Sequence, residues 1–252
     1  MCVYDANPAN TRSHDREAEG MKSHGAKVPK APRILVVDVG GTTIKILATG
    51  HRTPVKIPSG PRMTPARMVR LVRKAVAGWD YSVVSVGVPG PVKGGRVVKE
   101  PVNLGRGWVR FNFRKAFGRP VRVINDAAMQ ALGSYRGGRM LFLGLGTGLG
   151  SALVVDGVIV PMELAHLPFK NGRTYEQHVG KAALEECGKK KWRRRVADVT
   201  SRLKAALVVD EVVLGGGNAK HLRTLPPGVR RGRNLQAFSG GYRLWNASAR
   251  GR

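Results

Sequence analysis

The chain carries only two cysteines, Cys2 and Cys187, in 252 residues, which excludes a disulfide framework and a thiolate metal clip. A reduced, cytoplasmic compartment suits such a chain. Long hydrophobic runs are absent too. The longest uncharged apolar stretch, LFLGLGTGLGSALVV, is broken by glycines and stops at Asp156-Gly157, so no membrane span or membrane partner is expected. The N-terminus mixes acids, proline and histidine and lacks the apolar core of a secretory signal. Acid is scarce: 16 Asp and Glu face 44 Lys and Arg, a formal charge of +28.

Residues 1–33 hold six basic and four acidic side chains, which leaves +26 on the body. The charge therefore belongs to the folded surface and favours anionic partners, whether phosphates, polyphosphate, nucleic acid or acidic lipid. A hydrophobic content of 42% is enough for one large core or two smaller ones. The 33 glycines fall at the ends of apolar runs and read as turn residues.

RILVVDVG and TIKILATG are strand-like runs joined by a glycine turn, which predicts a hairpin. TPARMVRLVRKAVAGW opens with Thr64 as cap and Pro65 at the first helical position, and its polar face carries Arg67, Arg70, Arg73 and Lys74. YSVVSVGVPGPV and RPVRVIND read as strands, and AAMQALGSYRGG as a short helix. A helix is expected at TYEQHVGKAALEEC and a longer one at KKKWRRRVADVTSRLKAAL; EVVLGGGNAKHL reads as a strand and turn entering a helix. Strands alternating with helices argue for α/β architecture. MLFLGLGTGLGSALVVDG repeats the strand, Gly/Thr turn and strand of ILVVDVGGTTIKILATG at a separation of 106 residues, Gly40 to Gly146, which suggests a duplicated domain.

Glycine at such turns lets the backbone approach an anion and aim several N–H groups at it. Neither turn is a Walker loop, and neither opens a helix as a dinucleotide fingerprint does. Alone, each is an ordinary hairpin. Together, with Asp38 and Lys45 beside the first, they point to a phosphate cradle. Asp126 stands where a strand hands over to a helix, and suits either a general base or a helix N-cap.

DVGGTTIK, VGVPGPV, NLGRGW, INDA, LGTGLGSALVVDG, ELAH and LGGG, in this order over roughly residues 33–245, resemble the ROK family of sugar kinases, and most of all its zinc-free, polyphosphate-using glucokinase branch. The resemblance implies two actin-like (ribonuclease H-like) α/β domains around a central cleft. A mobile tail is expected over residues 1–32, a smaller domain over 33–125 and a larger one over 126–252, with the last helix packing back on the first domain. It also implies Mg²⁺-dependent phosphoryl transfer from polyphosphate, ATP or both to the 6-hydroxyl of glucose. Asp126 is then the general base. Asp38 reaches Mg²⁺ through water, while Gly40, Gly41, Thr42, Thr43, Lys45, Gly146, Thr147, Gly148, Gly215 and Gly216 face the donor. Asn103, Asn125, Asp126, Glu163 and His166 bind the sugar. The family usually has glycine where Ala165 stands, and most members carry a cysteine-rich zinc motif after the histidine; only Cys187 follows here, so no zinc site is expected.

A homodimer is expected by the same resemblance. Three other readings stand beside it: an ATP-dependent kinase for another hexose, a non-catalytic regulator that keeps the sugar site, and a basic nucleic-acid-binding protein. Repressors of the family carry a helix-turn-helix ahead of the kinase-like part, for which residues 1–32 are short and polar. For nucleic acid, Trp108, Phe111, Phe113 and Trp192 are the candidate stacking groups, although such binding is not the expected function. The run from Lys189 to Arg195 reads as a solvated helix face or, with Arg67, Arg70, Arg73, Arg106, Arg110 and Arg114, as a track for a polyanion.

Overall fold

The computed structural model describes residues 31–233 and 235–246, so the tail expected over residues 1–32 lies outside the described residues except at its end. From Pro32 on, the described residues form one compact unit built on two five-stranded sheets. The first contains β1 (Ile34–Val39), β2 (Thr43–Ala48), β3 (Val55–Pro58) and β4 (Val83–Val88). A two-stranded ribbon follows, β5 (Val92–Lys93) and β6 (Arg96–Val97), and then β7 (Val121–Asn125), which completes the order β3-β2-β1-β4-β7. The second contains β8 (Arg139–Leu145), β9 (Leu149–Val155), β10 (Val158–Met162), β11 (Glu211–Gly215) and β12 (Val229–Arg231), in the order β10-β9-β8-β11-β12. Each sheet thus has an antiparallel strand between its edge strand and a parallel set of three.

The hydrophobic pattern explains the layering. Every residue of β1 and β4 is buried, as expected of parallel strands covered on both faces. On one face α1 (Pro65–Ala75) and α2 (Phe113–Phe117) contribute Met68, Val69, Val72, Phe113 and Phe117 to a core with Leu35, Val37 and Val86. Helix α1 begins as the sequence predicts, with the Thr64 hydroxyl accepting the Arg67 N–H at 3.3 Å and Pro65 in the first turn.

Between the sheets lie α3 (Asp126–Ser134) and α6 (Gln236–Asn246). Ala127, Ala128 and Ala131 of α3 pack on Met140, Phe142 and Ala152 of the second sheet. Met129 joins Ile34 and Val36 of the first sheet and Phe238 of α6. The helices cross very closely: a methyl group added at Gly133 would stand 1.8 Å from the Gln236 carbonyl oxygen, and one at Gly240 1.8 Å from that of Met129. Ser85 Oγ donates to Gly241 O at 2.7 Å and accepts from Trp245 Nε1 at 2.9 Å, tying α6 to β4.

Two helices differ from the sequence reading. The segment expected as one helix from Thr174 to Cys187 is α4 (Tyr175–Val179) followed by α5 (Lys181–Ala206), with Gly180 extended between them. Helix α5 absorbs the longer expected helix but breaks at Gly188, whose φ of 71° is a glycine conformation. The helix expected after LGGG is a short 3₁₀ segment, Gly217–His221.

Candidate active site

The first glycine turn closes tightly, the Gly40 N–H donating to Thr43 O at 3.1 Å, and the Ser59 N–H holds Thr42 O at 2.9 Å. Asp38 and Lys45 face each other across β1 and β2. The Lys45 ammonium lies 3.5 Å from Asp38 Oδ2. Only 5% of Asp38 is exposed. Burial pushes its carboxyl pKa up, and the Lys45 charge and hydrogen bond oppose that shift without reversing it. Asn103 is exposed beside this turn, its Cβ 3.1 Å from where a methyl at Gly41 would stand.

Asp126 is the first residue of α3, and Asn125 before it is the cap: Asn125 Oδ1 accepts the Ala128 N–H at 3.0 Å. The cap role considered for Asp126 therefore falls one residue earlier. The Asn125 amide also donates to Gly90 O at 2.9 Å, so both ends of this expected sugar ligand hold the strand-helix junction and the VPGP turn. Asp126 Oδ1 accepts the Ala127 N–H at 2.8 Å. Its pKa is pushed up to about 7, first by burial, then by the Asp38 charge, with Glu163 adding less and the backbone bonds opposing. The residue as a whole is only partly buried.

Glu163 ends the loop after β10, and Leu164–His166 forms a 3₁₀ turn. Ser151 fastens that loop to β9, donating to Met162 O at 2.9 Å and accepting the Leu164 N–H at 3.1 Å. Glu163 Oε2 and His166 Nε2 are 4.0 Å apart and both exposed. Partial loss of solvent on one side raises the Glu163 carboxyl pKa, with His166 and Lys99 lowering it and Glu176 raising it. The charges of Asp38, on the first sheet, and of Glu163, after the second sheet's β10, both favour the protonated form of Asp126.

The second turn is braced from several sides. Gly146 N–H points at Gly144 O and Gly148 O, each at 3.1 Å, and the Lys181 N–H at the start of α5 donates to Thr147 O at 3.1 Å. Asn218 Nδ2 donates to Gly146 O at 2.9 Å, and Glu176 Oε2 accepts the Leu149 N–H at 3.0 Å. Gly216, with φ 81°, lies so close that a methyl there would stand 2.5 Å from the Leu145 carbonyl. Gly215 packs on the Phe142 ring. Sequence reading missed Glu176 and Asn218. Each is distant in sequence from the turn it holds, and the only signal was its place beside a Thr cap or a glycine run.

The aromatic groups considered for nucleic acid are core residues: Trp108, Phe113 and Trp192 are 0%, 5% and 0% exposed. Only Phe111 of the four is partly open, so these residues form no stacking platform. Among the described residues no cluster of three or more His, Cys, Asp or Glu could hold a metal ion, and no helix is long and apolar enough to cross a membrane.

Residues 34–161 match the ROK family. The polyphosphate glucokinase of Mycobacterium tuberculosis is 28% identical over 203 residues, 72% of this chain and 76% of that one. The glucokinase of Pyrobaculum calidifontis is 34% identical over 134 residues, 51% of this chain and 45% of that one. Among solved structures, the inorganic polyphosphate/ATP-glucomannokinase of Arthrobacter sp. strain KM superposes with a TM-score of 0.74 at 26% identity, covering 86% of this chain and 99% of that one. With its two matching actin-like α/β sheets and a family match that begins at β1 and runs through the second glycine turn, the chain belongs to the ROK family.

Proposed function

We propose that the protein transfers a phosphoryl group from polyphosphate, ATP or both to the 6-hydroxyl of glucose. The observation that carries this reading is Asp126: a carboxylate at the junction of β7 and α3, its pKa near 7, in reach of Asp38 on one sheet and Glu163 from the other. A base poised near neutrality accepts a proton from a sugar hydroxyl as that oxygen attacks phosphorus. Glu163 and His166, on one short turn, suit neighbouring sugar hydroxyls, and Asn103 reaches in beside Gly41. The two glycine turns suit the donor phosphates, each offering backbone N–H groups, with Thr42, Thr43, Thr147 and Lys45 beside them; Gly215 and Gly216 support the second. The names of the relatives support polyphosphate and ATP as donors.

Mg²⁺ fits as a cation that arrives with the phosphates rather than one caged by protein, because a single buried carboxylate, Asp38, adjoins the first turn. Asp38 would hold it through water, and the ion would neutralise charge on the donor. A homodimer rests on the family resemblance, and a cytoplasmic location on cysteine usage. The deciding experiment measures sugar 6-phosphate from glucose and Mg²⁺ with polyphosphate, with ATP and with neither, for wild type and Asp126→Asn. Product with a donor, lost in the variant, is the expected result; no product with either donor overturns the reading.

A further inference from the structure

A groove runs along the outside of the first sheet, between α1 and α2. One cavity of ≈ 640 Å³ is lined by Val69, Arg70, Arg73, Phe111 and Lys115 among others, and a second of ≈ 420 Å³ by Arg114, Lys115 and Arg119. They share Asn112 and Lys115 and so adjoin one another. No acidic side chain lines either. That absence is not a local accident. Residues 32–125 contain three acids, Asp38, Asp80 and Glu100, against 18 Lys and Arg, and each acid is already engaged: Asp38 with Lys45, Asp80 with Arg33, and Glu100 with the N–H groups of Gly107, Trp108 and Val109.

Among the described ion pairs none includes a cation of α1 or α2. The second sheet and its helices solve the same problem differently, pairing Lys170 and Arg202 with Asp198, Arg173 with Glu186 and Arg230 with Glu211. Unpaired, closely spaced cations repel one another, and an anion between them removes that cost. The apolar part of the lining, Ala66, Val69, Phe111 and Ala116, suits the aliphatic stems of arginine and lysine, whose charged heads favour solvent.

We propose that this groove binds a linear inorganic polyphosphate, holding the part of the chain remote from the phosphate being transferred; this rests on the donor reading above. The path back to the site is short in sequence. Asn103 adjoins Gly41, Gly105 N–H is tied to Met63 O at 3.1 Å just before α1, and the loop then carries exposed Arg106 and Arg110 to Phe111 in the groove wall. A short donor occupies the site alone, whereas a long one reaches both places. Affinity therefore grows with chain length.

The test compares wild type with the triple variant Arg70→Gln, Arg73→Gln, Lys115→Gln, and with a control of equal charge loss on exposed α5, Lys189→Gln, Lys190→Gln, Lys191→Gln. Direct binding of long-chain polyphosphate at two salt concentrations is measured first, with thermal melts to show that all three proteins are folded. The groove variant should bind about tenfold more weakly or worse at low salt and with a shallower salt dependence, and the control should bind like wild type. KM for long polyphosphate should rise in the groove variant while KM for tripolyphosphate and for ATP stays put. Equal loss in both variants means that net charge alone attracts the chain and overturns the proposal, as does unchanged binding in the groove variant. If wild type turns over ATP but no polyphosphate, the donor reading fails, and the direct binding comparison still judges the groove by the same two outcomes.

Discussion

The two glycine hairpins occupy equivalent places in sheets of the same strand order, yet they are built differently. In the first, the next-to-last cross-strand pair before the turn is Asp38 opposite Lys45; in the second, the corresponding pair is Gly144 opposite Gly150. The first hairpin therefore carries charge at its base. The second carries none, and its glycine makes room: a methyl at Gly150 would stand 2.8 Å from Ala127 Cβ, on the helix that begins with Asp126. Bracing is reversed. The first turn is held mostly by its own backbone, whereas Asn218, Glu176 and Lys181 reach the second from three other segments. Two hairpins of the same plan thus differ in that one carries an ion pair and the other is held by side chains and backbone from outside it.

The sharpest way to break this comparison is at the junction between the halves. Asp126→Asn should lower kcat by roughly 10²–10⁴-fold with little change in fold, measured by steady-state kinetics. The same variant tests the cost of the buried carboxyl. Its folded pKa of about 7 lies above the 3.8 of an unperturbed aspartate, so the folded state keeps a proton that the unfolded state has released, and stability falls as pH rises between those values. Asp126→Asn should remove that fall, by about 4 kcal/mol at most, so its melting temperature should exceed wild type above neutrality and match it in acid.

Next in size is the brace on the second turn. Gly216→Ala forces a methyl onto the Leu145 backbone at a positive φ and should cost about 2–4 kcal/mol in denaturant unfolding. Glu176→Ala, which leaves the Leu149 N–H without its acceptor, should cost about 1–3 kcal/mol and raise KM for the donor more than it lowers kcat. A fall in kcat alone would place Glu176 in the chemistry rather than in the brace. Smallest is Lys45→Met. Removing the cation that opposes the burial of Asp38 raises the Asp38 pKa further, so activity should be lost at a higher pH than in wild type.

Much of this was legible in the sequence because local signals agreed with the fold: the hairpins, the Thr64-Pro65 helix start and the INDA junction are each specified within a few residues. What was not legible depended on distant partners. TYEQHVGKAALEEC reads as one helix, whereas at the extended Gly180 the chain breaks and the next N–H, of Lys181, goes to Thr147 O at 3.1 Å, a partner distant in sequence. Trp108 and Trp192 sit among arginines in sequence but in the core in space, each indole N–H donating to a backbone carbonyl, of Met63 and Val179. Asn125 offers the chemistry of a ligand, and its amide is used at both ends by the junction that presents Asp126.

The central claim is that Asp126 is a base tuned by burial and by the neighbouring charge of Asp38. Its direct test is the carboxyl ¹³C titration of Asp126 in wild type and in Asp38→Asn, read beside the acid limb of kcat/KM for glucose in wild type. A midpoint near the value of about 7, shared by the acid limb and moved to lower pH in Asp38→Asn, is the predicted result. Titration near the ordinary aspartate value, or a midpoint indifferent to Asp38, would contradict it.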